Sequence, residues 1–345
     1  MGRTLEILYR EKIGATAMAV KDYIKLMRPH QWYKNLLVFV AIVFVESPEP
    51  LHWPWTQIPA VFDITKYPPL IIGFLVFCAI SSAGYIMNDI FDIDKDAAHP
   101  EKMDRPLPSG RASKDVAVVL AILLYAIGFV VSLYILGSGF FLLAIILYII
   151  NSQLYSWKLR NWAIVDVCII AVGFIIRAVA GTFLIRDSEG NPIPFTSWLI
   201  IGIFFVALVL AFGKRKNELQ LLGDEAPLHK PVFKQYTESM LDQGITMSGT
   251  WVVLFYALYC YNQFGTRMAT QPVMLTVPIA AGIVMRYIYL IQSGSPVGRK
   301  PHLAIKDKGI LIGGILFVLS LFVTLFFWEP IISTLDTIFE SILTP

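Results

Sequence analysis

Charged residues and cysteines are both scarce in this sequence of 345 residues. Only 15% of the residues are Asp, Glu, Lys or Arg, whereas 56% are hydrophobic, and this balance excludes an ordinary soluble protein. The three cysteines, Cys78, Cys168 and Cys260, all lie in apolar segments, which indicates core packing rather than disulfides or metal ligands. A net charge of +3 is too small to indicate nucleic acid as a partner.

Several signature motifs are also missing. The five histidines are scattered without the spacing of a zinc site. The sequence contains no P-loop, no G-x-S-x-G and no H-E-x-x-H motif. Residues 1–33 carry charges throughout, so we expect no cleavable signal peptide.

Long apolar segments fill most of the chain. A membrane-spanning helix needs about 20 mostly apolar residues, and the first segment reaches that length only if it is extended back to Met27. The predicted spans are Lys34–Val45, Pro68–Ile90, Val116–Leu136, Gly139–Trp157, Ala163–Phe183, Ser197–Phe212, Met247–Phe264, Val273–Ile291 and Gly309–Trp328. We therefore expect an all-α polytopic membrane protein with nine transmembrane helices. The transmembrane domain would comprise residues 25–330, preceded by a cytoplasmic segment, 1–24, and followed by a short tail, 331–345.

Lys and Arg residues fall almost entirely on one side of this helix pattern. When alternate loops are assigned to opposite sides, 23 of them lie on the side of the N-terminus and three on the other. Cytoplasmic loops carry the excess of Lys and Arg in membrane proteins. We therefore predict a cell-membrane protein (inner or plasma membrane) with its N-terminus in the cytoplasm and its C-terminus outside.

The acidic stretch NDIFDIDKDAAHPEKMDRP, Asn88–Pro106, follows the second predicted span. Asp89, Asp92 and Asp96 are three and four residues apart, so on a helix they share one face. Asn88 precedes Asp92 by one turn and joins the same group. Carboxylates stacked in this way repel each other unless a cation lies among them. Mg²⁺ prefers such oxygen ligands and usually brings a phosphate with it, so we favour a metal–diphosphate site over a solvated acidic loop.

Cations gather at the cytoplasmic ends of the predicted helices. Each has an ordinary interpretation as an inside-positive anchor. The candidates for substrate-phosphate binding are Lys34, Asn35, Arg105, Tyr155, Lys158, Lys214, Arg215 and Glu218. Arg28 is a candidate for a lipid-phosphate or structural role. Lys214, Arg215 and Lys216 are consecutive and cannot all face one cavity, whereas Arg215 and Glu218 are three apart and share a face.

Two ionisable residues, Asp166 and Arg177, lie inside the fifth predicted span. Such residues are rare in membrane helices and usually face a cavity or a partner. Their separation of eleven residues is about three turns, which puts them on one face. We expect Asp166 to reach metal or substrate, and Arg177 to hold a lipid phosphate or to pair with another buried group. Weaker candidates are Tyr236, Asp242, Arg286, Tyr287 and Asp307.

Taken together, these motifs resemble the UbiA superfamily of intramembrane prenyltransferases. The resemblance spans about residues 22–330. It rests on RPHQWYKN at 28–35, NDIFDIDKDAAHPEKMDRP at 88–106, YSWKL at 155–159, DVCIIAVGFIIRAVAG at 166–181 and FGKRKNEL at 212–219. Ordinary members carry a second Asp-rich motif after the sixth helix, where this sequence reads KRKNEL. The resemblance is therefore closest to the branch that transfers phosphoribosyl groups.

The resemblance implies a UbiA-type helix bundle around a cytoplasm-facing cavity, with Mg²⁺ as cofactor. The implied reaction transfers 5-phosphoribosyl from phosphoribosyl diphosphate to a polyprenyl, decaprenyl-like phosphate in the membrane lipid, for cell-envelope precursor synthesis. Asp89, Asp92 and Asp96 would hold the diphosphate through the metal, and Asp166 would stabilise positive charge at the sugar. Two alternatives stay open: an ordinary prenyltransferase with an aromatic or other small acceptor, and a lipid-phosphate transporter. A homo-oligomer is also left open.

Overall fold

The computed structural model of the protein describes residues 20–43, 63–97, 102–186, 197–264, 272–328, 331–335 and 337. Within these ranges the chain forms helices and turns and no β-strand, which confirms the all-α class. The eight long helices are α1 (Tyr67–Phe91), α2 (Lys114–Val130), α3 (Gly139–Trp157), α4 (Val165–Thr182), α5 (Ser197–Leu222), α6 (Glu238–Phe264), α7 (Val277–Gln292) and α8 (Lys308–Phe326).

Short helices connect the long ones. The 3₁₀-helices are Pro29–Phe39, Ile64–Lys66, Leu159–Asn161, Gly223–Glu225, Pro231–Lys234, Pro272–Thr276 and Pro301–Lys306. The short α-helices are Val40–Val43, Ile93–Ala97 and Ala226–His229, and one π-helical turn, Val131–Ile135, continues α2. Proline stands first in four of the 3₁₀-helices, because the first turn needs no backbone donor and the fixed φ of proline suits it.

Seven helices of the described part of the chain are long and apolar enough to cross a membrane, which makes this an integral membrane protein. They correspond to all the predicted spans except the first and the sixth. The chain from Lys34 onwards belongs to a 3₁₀-helix and the short helix Val40–Val43, and the predicted end of that span lies outside the described residues. Helix α5, Ser197–Leu222, covers the predicted sixth span, Ser197–Phe212. The count of nine spans stays a prediction.

The predicted bounds agree best where the apolar run is longest. Helix α3 matches its prediction, and α1 extends one residue beyond its prediction at each end. Helix α6 begins at Glu238, nine residues before the predicted Met247, because polar residues extend it beyond the apolar segment. Helix α5 likewise continues past Phe212 to Leu222, so the GKRKNEL motif is helical.

The chain divides into two compact units, of which the first comprises Met1–Ile42, Thr65–Ser156 and Ile176–Pro194. Its core packs small residues of α2, Ala117 and Ala121, against Ala83 and Ile86 of α1. The alanines are four residues apart and lie on one face of α2, which brings the two helices together. This packing fixes the end of α1, where the acidic stretch begins.

The second unit comprises Val43–Ile64, Trp157–Ile175 and Phe195–Pro345. Its core joins the beginning of α4, the middle of α5, the connection 226–236, the beginning of α6 and the end of α7. Aromatic rings reinforce the α5–α6 contact, since Phe205 stacks on both Trp251 and Phe255 with ring centroids 5.6 Å apart. The core thus holds the C-terminal half of α5 and the connection that follows it.

Candidate phosphate and metal sites

The acidic stretch is not one continuous helix. Helix α1 ends at Phe91, and Asp92 adopts φ −103° and ψ 13° before the short helix Ile93–Ala97 begins. The backbone still makes helix-like bonds, since the Asp92 N–H donates to Asn88 O over 3.1 Å and the Asp96 N–H to Asp92 O over 2.8 Å. The expectation that three carboxylates share one unbroken helical face is therefore wrong in its local geometry.

Asp89 and Asp96 are nevertheless brought together in the first unit, where they are only 3% and 2% exposed. Arg105 lies between them: its Nη1 is 3.3 Å from Asp89 Oδ1 and 2.6 Å from Asp96 Oδ2. Lys102 Nζ is 3.3 Å from Asp96 Oδ1, and Arg28 Nη2 is 2.5 Å from Asp89 Oδ1. Three cations thus offset the cost of burying two carboxylates. We call these five residues the Asp89 cluster.

Arg28 is held in an uncommon backbone conformation. Its φ of 51° and ψ of 57° lie in the left-handed region, where a residue with a side chain is rare. Arg28 directly precedes the 3₁₀-helix Pro29–Phe39, and its guanidinium also lies 5.1 Å from the centre of the Tyr85 ring. Such backbone strain costs roughly 1–3 kcal/mol and concentrates at functional sites. Because Arg28 is strained and also forms an ion pair with Asp89, it is a candidate functional residue of the Asp89 cluster.

The Asp89 cluster has the donor chemistry of a partial magnesium site. Within the described residues, no three His, Cys, Asp or Glu side chains lie close enough together to hold a metal ion. Asp89 and Asp96 do converge on one positive group, Arg105. Mg²⁺ is typically held by one or two carboxylates, with phosphate and water completing its octahedron. The pair fits that mode of binding and does not form an all-protein cage.

A second network of buried charges, the Arg215 network, lies in the second unit. Asp166, at the start of α4, is 0% exposed, and Arg215 of α5 is 3% exposed. Arg215 Nε donates to Asp166 Oδ2 over 2.7 Å, and its Nη1 donates to Glu218 Oε2 over 2.9 Å. Tyr236 donates its hydroxyl proton to Asp166 Oδ1 over 2.6 Å. The fifth-span carboxylate and the cation of the KRKNEL motif are therefore direct partners.

Glu218 links the Arg215 network to two lysines. Lys230 Nζ is 2.5 Å from Glu218 Oε2, and Lys214 Nζ is 4.0 Å from its Oε1. Burial raises the pKa of Glu218, but Lys230, Arg215 and Lys214 outweigh it and hold that pKa at about 2. Burial and Arg215 lower the pKa of Lys230 to about 8, against the opposing effect of Glu218. The network joins two acidic side chains to three basic ones, and this excess of basic groups favours an anionic ligand.

Arg177 lies in a buried polar network of the first unit. It is 5% exposed, and its Nε donates to Asn35 Oδ1 over 2.9 Å. Its Nη2 donates to the Tyr148 hydroxyl over 2.6 Å, and Asn35 in turn donates to Ser81 over 3.2 Å. The structure thus brings together Asn35 and Arg177, for which the sequence predicted separate roles, with Arg177 paired to other buried groups.

The remaining candidates lie in more exposed positions. Lys158 is exposed, with its Nζ 5.4 Å from the centre of the Trp162 ring. Lys34 and Tyr155 are partly buried. Lys214 is half exposed, whereas Lys216 is buried and pairs with Asp242, so the three consecutive cations do point to different surroundings.

The weaker candidates also lie in different surroundings. Arg286 and Asp307 form an ion pair of 2.9 Å, and Asp307 also caps helix α8 by accepting from the Ile310 N–H. Tyr287 packs beside the core of the second unit. Sequence reasoning did not single out Tyr148 or Lys230, because neither belongs to a recognisable motif. The sequence indicates only a weak role for Tyr236, because its partner Asp166 is 70 residues away.

The fold and these buried ionic clusters define a class, the polytopic helical membrane proteins whose charged residues gather near the helix ends. The profile of the UbiA prenyltransferase family matches residues 35–226, more than half of the chain. The chain therefore belongs to the UbiA prenyltransferase family and is a transferase.

Relatives agree with this assignment, and a solved structure shares the fold. Decaprenyl-phosphate phosphoribosyltransferase of Mycolicibacterium smegmatis is 29% identical over 87% of this chain and 91% of its own length. The protein with the same name from Mycobacterium tuberculosis (strain H37Rv) is 27% identical over 85% of this chain and 90% of its own. The structure of a UbiA homolog from Archaeoglobus fulgidus bound to GPP and Mg²⁺ is 18% identical, covers 88% of this chain and 99% of that chain, and has a TM-score of 0.59.

Proposed function

We propose that this protein transfers the 5-phosphoribosyl group from phosphoribosyl diphosphate to a polyprenyl phosphate and releases diphosphate. The observation that carries the proposal is the buried Arg215, held between Asp166 and Glu218 at the end of α5. At this position the resemblance to members that use prenyl diphosphates implies an Asp-rich motif, whereas this sequence reads KRKNEL. A guanidinium binds phosphate oxygens through its planar fork of N–H groups. The names of the mycobacterial relatives support the same transferred group and a polyprenyl-phosphate acceptor.

Diphosphate binding through a divalent ion is assigned to the acidic stretch. Asp89, Asp92 and Asp96, with Asn88, would hold Mg²⁺, which when bound supplies positive charge to the departing diphosphate. Arg105 and Lys102 lie within 3.3 Å of Asp96 and can turn from that carboxylate to the phosphate oxygens. Asp89 and Asp96 are held by Arg28 and Arg105, so the carboxylates are in place before substrate binds.

Phosphate contacts in the second unit come from the Arg215 network. Lys230 and Lys214 share Glu218 with Arg215, and both lysines are accessible, with side chains 40% and 51% exposed. They can therefore leave the carboxylate to contact a substrate phosphate. Lys158 is an additional exposed cation of this unit. Lys34, Asn35 and Tyr155 of the first unit are the other candidates for substrate contacts.

The chemistry needs no dedicated general base. As diphosphate departs, positive charge develops at sugar C1. The acceptor is a phosphate monoester with a second pKa of about 6, so at neutral pH it is already an anion that can attack. The bond from C1 to the diphosphate oxygen breaks, and a bond from C1 to the lipid phosphate oxygen forms. A single displacement predicts inversion at C1.

Asp166 acts on this chemistry through Arg215. Its two oxygens are taken by Arg215 and by the Tyr236 hydroxyl, and its side chain is fully buried. We therefore assign to Asp166 the orientation of Arg215, in place of direct stabilisation of the sugar. Arg177 and Arg28 would bind the lipid phosphate or stabilise the structure. Arg177 is bonded to the buried Asn35, and Arg28 to the buried Asp89.

A second candidate function is transfer of a prenyl group from a prenyl diphosphate to an aromatic or other small acceptor. The observation in its favour is the fold shared with the Archaeoglobus fulgidus homolog, whose structure contains GPP and Mg²⁺.

The test offers the purified protein two labelled donors in separate reactions. Phosphoribosyl diphosphate labelled in the ribose is supplied with a polyprenyl phosphate and Mg²⁺, and labelled geranyl diphosphate is supplied with an aromatic acceptor. The proposal predicts ribose label in the lipid phase, lost with a chelator and restored by Mg²⁺. Activity with geranyl diphosphate alone would establish the second candidate and overturn the proposal. A protein inactive with both donors would also overturn it.

A further inference from the structure

Tyr236 links the connection between α5 and α6 to the beginning of α4. It follows the 3₁₀-helix Pro231–Lys234, is 5% exposed, and donates its hydroxyl proton to Asp166 Oδ1 over 2.6 Å. The Tyr236 hydroxyl oxygen in turn accepts from the Ile164 backbone N–H over 2.7 Å. Burial and the hydrogen bond to Asp166 raise the pKa of Tyr236, so the hydroxyl keeps its proton at neutral pH.

The turn that precedes Asp166 is strained and is held from the same side. Ile164 has φ 68°, a left-handed conformation that a β-branched residue rarely adopts. Gln235, the neighbour of Tyr236, donates to Asn161 O over 2.9 Å and accepts from the Ala163 N–H over 3.1 Å. Gln235 and Tyr236 thus both bond to the turn 161–164, and of the two it is Tyr236 that also bonds to Asp166 at the beginning of α4.

A chain of hydrogen bonds connects this turn to Arg215, and Asp166 accepts from both sides. The Ile164 N–H donates to Tyr236, Tyr236 donates to Asp166 Oδ1, and Arg215 Nε donates to Asp166 Oδ2 over 2.7 Å. Because both carboxylate oxygens are engaged, Asp166 cannot rotate without breaking one of these bonds. The orientation of the Arg215 guanidinium therefore depends on the Tyr236 hydroxyl, although the two side chains belong to different segments.

We propose that Tyr236 is a positioning residue of the transferase: its hydroxyl fixes Asp166, which holds Arg215 in the orientation that binds a donor phosphate. The proposal rests on the proposed function. It assigns to the connection between α5 and α6 a role in recognising phosphoribosyl diphosphate.

The test replaces Tyr236 with phenylalanine in the full-length protein and measures kcat and KM for phosphoribosyl diphosphate. Tyr236→Phe keeps the ring and removes the hydroxyl. We expect KM to rise about tenfold, the effect of losing one hydrogen bond to a charged group. The value of kcat should change less than about twofold, since the lost contact acts on ground-state and transition-state binding alike.

Two control variants separate positioning from general support of the fold. Tyr256→Phe removes another partly buried hydroxyl of the same unit, one that lies 2.7 Å from Thr276 Oγ1. Gln235→Ala removes the other hydrogen bonds to the turn 161–164 and none to Asp166. We expect both controls to lower the melting temperature as much as Tyr236→Phe does, while KM stays within about twofold of the wild type.

A double-mutant cycle with Arg215→Lys then shows whether Tyr236 acts through Arg215. If it does, Tyr236→Phe raises KM by less than about twofold in the Arg215→Lys background, because no oriented guanidinium remains. A tenfold increase in both backgrounds, or equal KM values for Tyr236→Phe and the two controls, would overturn the inference while the proposed function stands. A wild type that transfers no phosphoribosyl group would overturn both.

Discussion

Asp92 differs from the other two acidic residues of its stretch in its surroundings. Asp89 and Asp96 are buried against arginines, whereas Asp92 is partly exposed at the point where α1 ends. As a proposed metal ligand it contributes a negative charge that an amide cannot replace. We expect Asp92→Asn to lower kcat more than about 100-fold, beyond the usual cost of losing an outer-shell group. Turnover measured at saturating donor checks this.

Asp94 provides the matched control, since it is exposed and lies two residues away. Asp94→Asn makes the same chemical change and should leave kcat within about twofold of the wild type. Both variants should keep the wild-type melting temperature. Near-normal activity of Asp92→Asn, or equal losses in both variants, would contradict the assignment of Asp92 to the metal site.

Lys230 gives the reaction a pH dependence that follows from its position. With a pKa of about 8, it is charged below pH 8 and loses its charge as the pH rises above that value. A free enzyme that binds donor phosphate through Lys230 should therefore lose kcat/KM above pH 8. The expected loss is about tenfold, the effect of one charge-assisted hydrogen bond. Measuring kcat/KM for the donor from pH 6.5 to pH 10 checks this.

Lys230→Arg tests whether that residue is responsible, because an arginine stays charged throughout the range. The variant should keep its kcat/KM where the wild type has lost it. An unchanged decline in Lys230→Arg would show that another group titrates.

At the scale of helices, close approach at Gly181 of α4 sets the packing of the first unit. A Cβ atom on Gly181 would lie 2.1 Å from Val38 O, a backbone atom that cannot turn away. Gly181→Ala should therefore destabilise the protein by about 1–3 kcal/mol. Thermal unfolding in detergent checks this.

Gly202 of α5 is the control, because a Cβ there meets nothing within 4 Å. Gly202→Ala should leave stability unchanged or raise it by about 0.5–1 kcal/mol, since alanine favours the helix. A variant Gly181→Ala as stable as Gly202→Ala would show that α4 does not depend on this contact.

Helices were predictable from sequence where burial in lipid alone determines them. Helix α3 contains no charged residue, so its bounds follow from hydropathy. The start of α6 does not, because Glu238 and the residues after it are polar and are helical through packing in the second unit. The 3₁₀ form of Pro29–Phe39 has no periodic signature either, since proline marks only its first residue.

The candidate sites divide in the same way. Local spacing and charge predicted Asp89, Asp96 and Arg105, which lie within 16 residues of one another. The pairing of Asp166 with Arg215 joins residues 49 apart, and that of Asp166 with Tyr236 joins residues 70 apart. Such pairs depend on how helices pack, so their residue types were predictable and their partners were not.

For the whole molecule, the bias of 23 Lys and Arg against three implies one orientation in the membrane. We propose that the N-terminus and the phosphate-binding residues face the cytoplasm. Single cysteines at Ser109, before α2, and at Gly139, after it, would lie on opposite sides, in a protein whose three native cysteines are replaced by alanine. In intact cells an impermeant maleimide should label Gly139→Cys and should reach Ser109→Cys only after lysis. The reverse labelling would contradict the orientation.

The central claim is that the transferred group is phosphoribosyl. The most direct test uses phosphoribosyl diphosphate with one label in the ribose and a different label in the β-phosphate of its diphosphate, together with Mg²⁺ and a polyprenyl phosphate. The account predicts that the ribose label enters the lipid phase while the diphosphate label stays in water as free diphosphate. Both labels in the lipid, the diphosphate label alone there, or neither label there would contradict it.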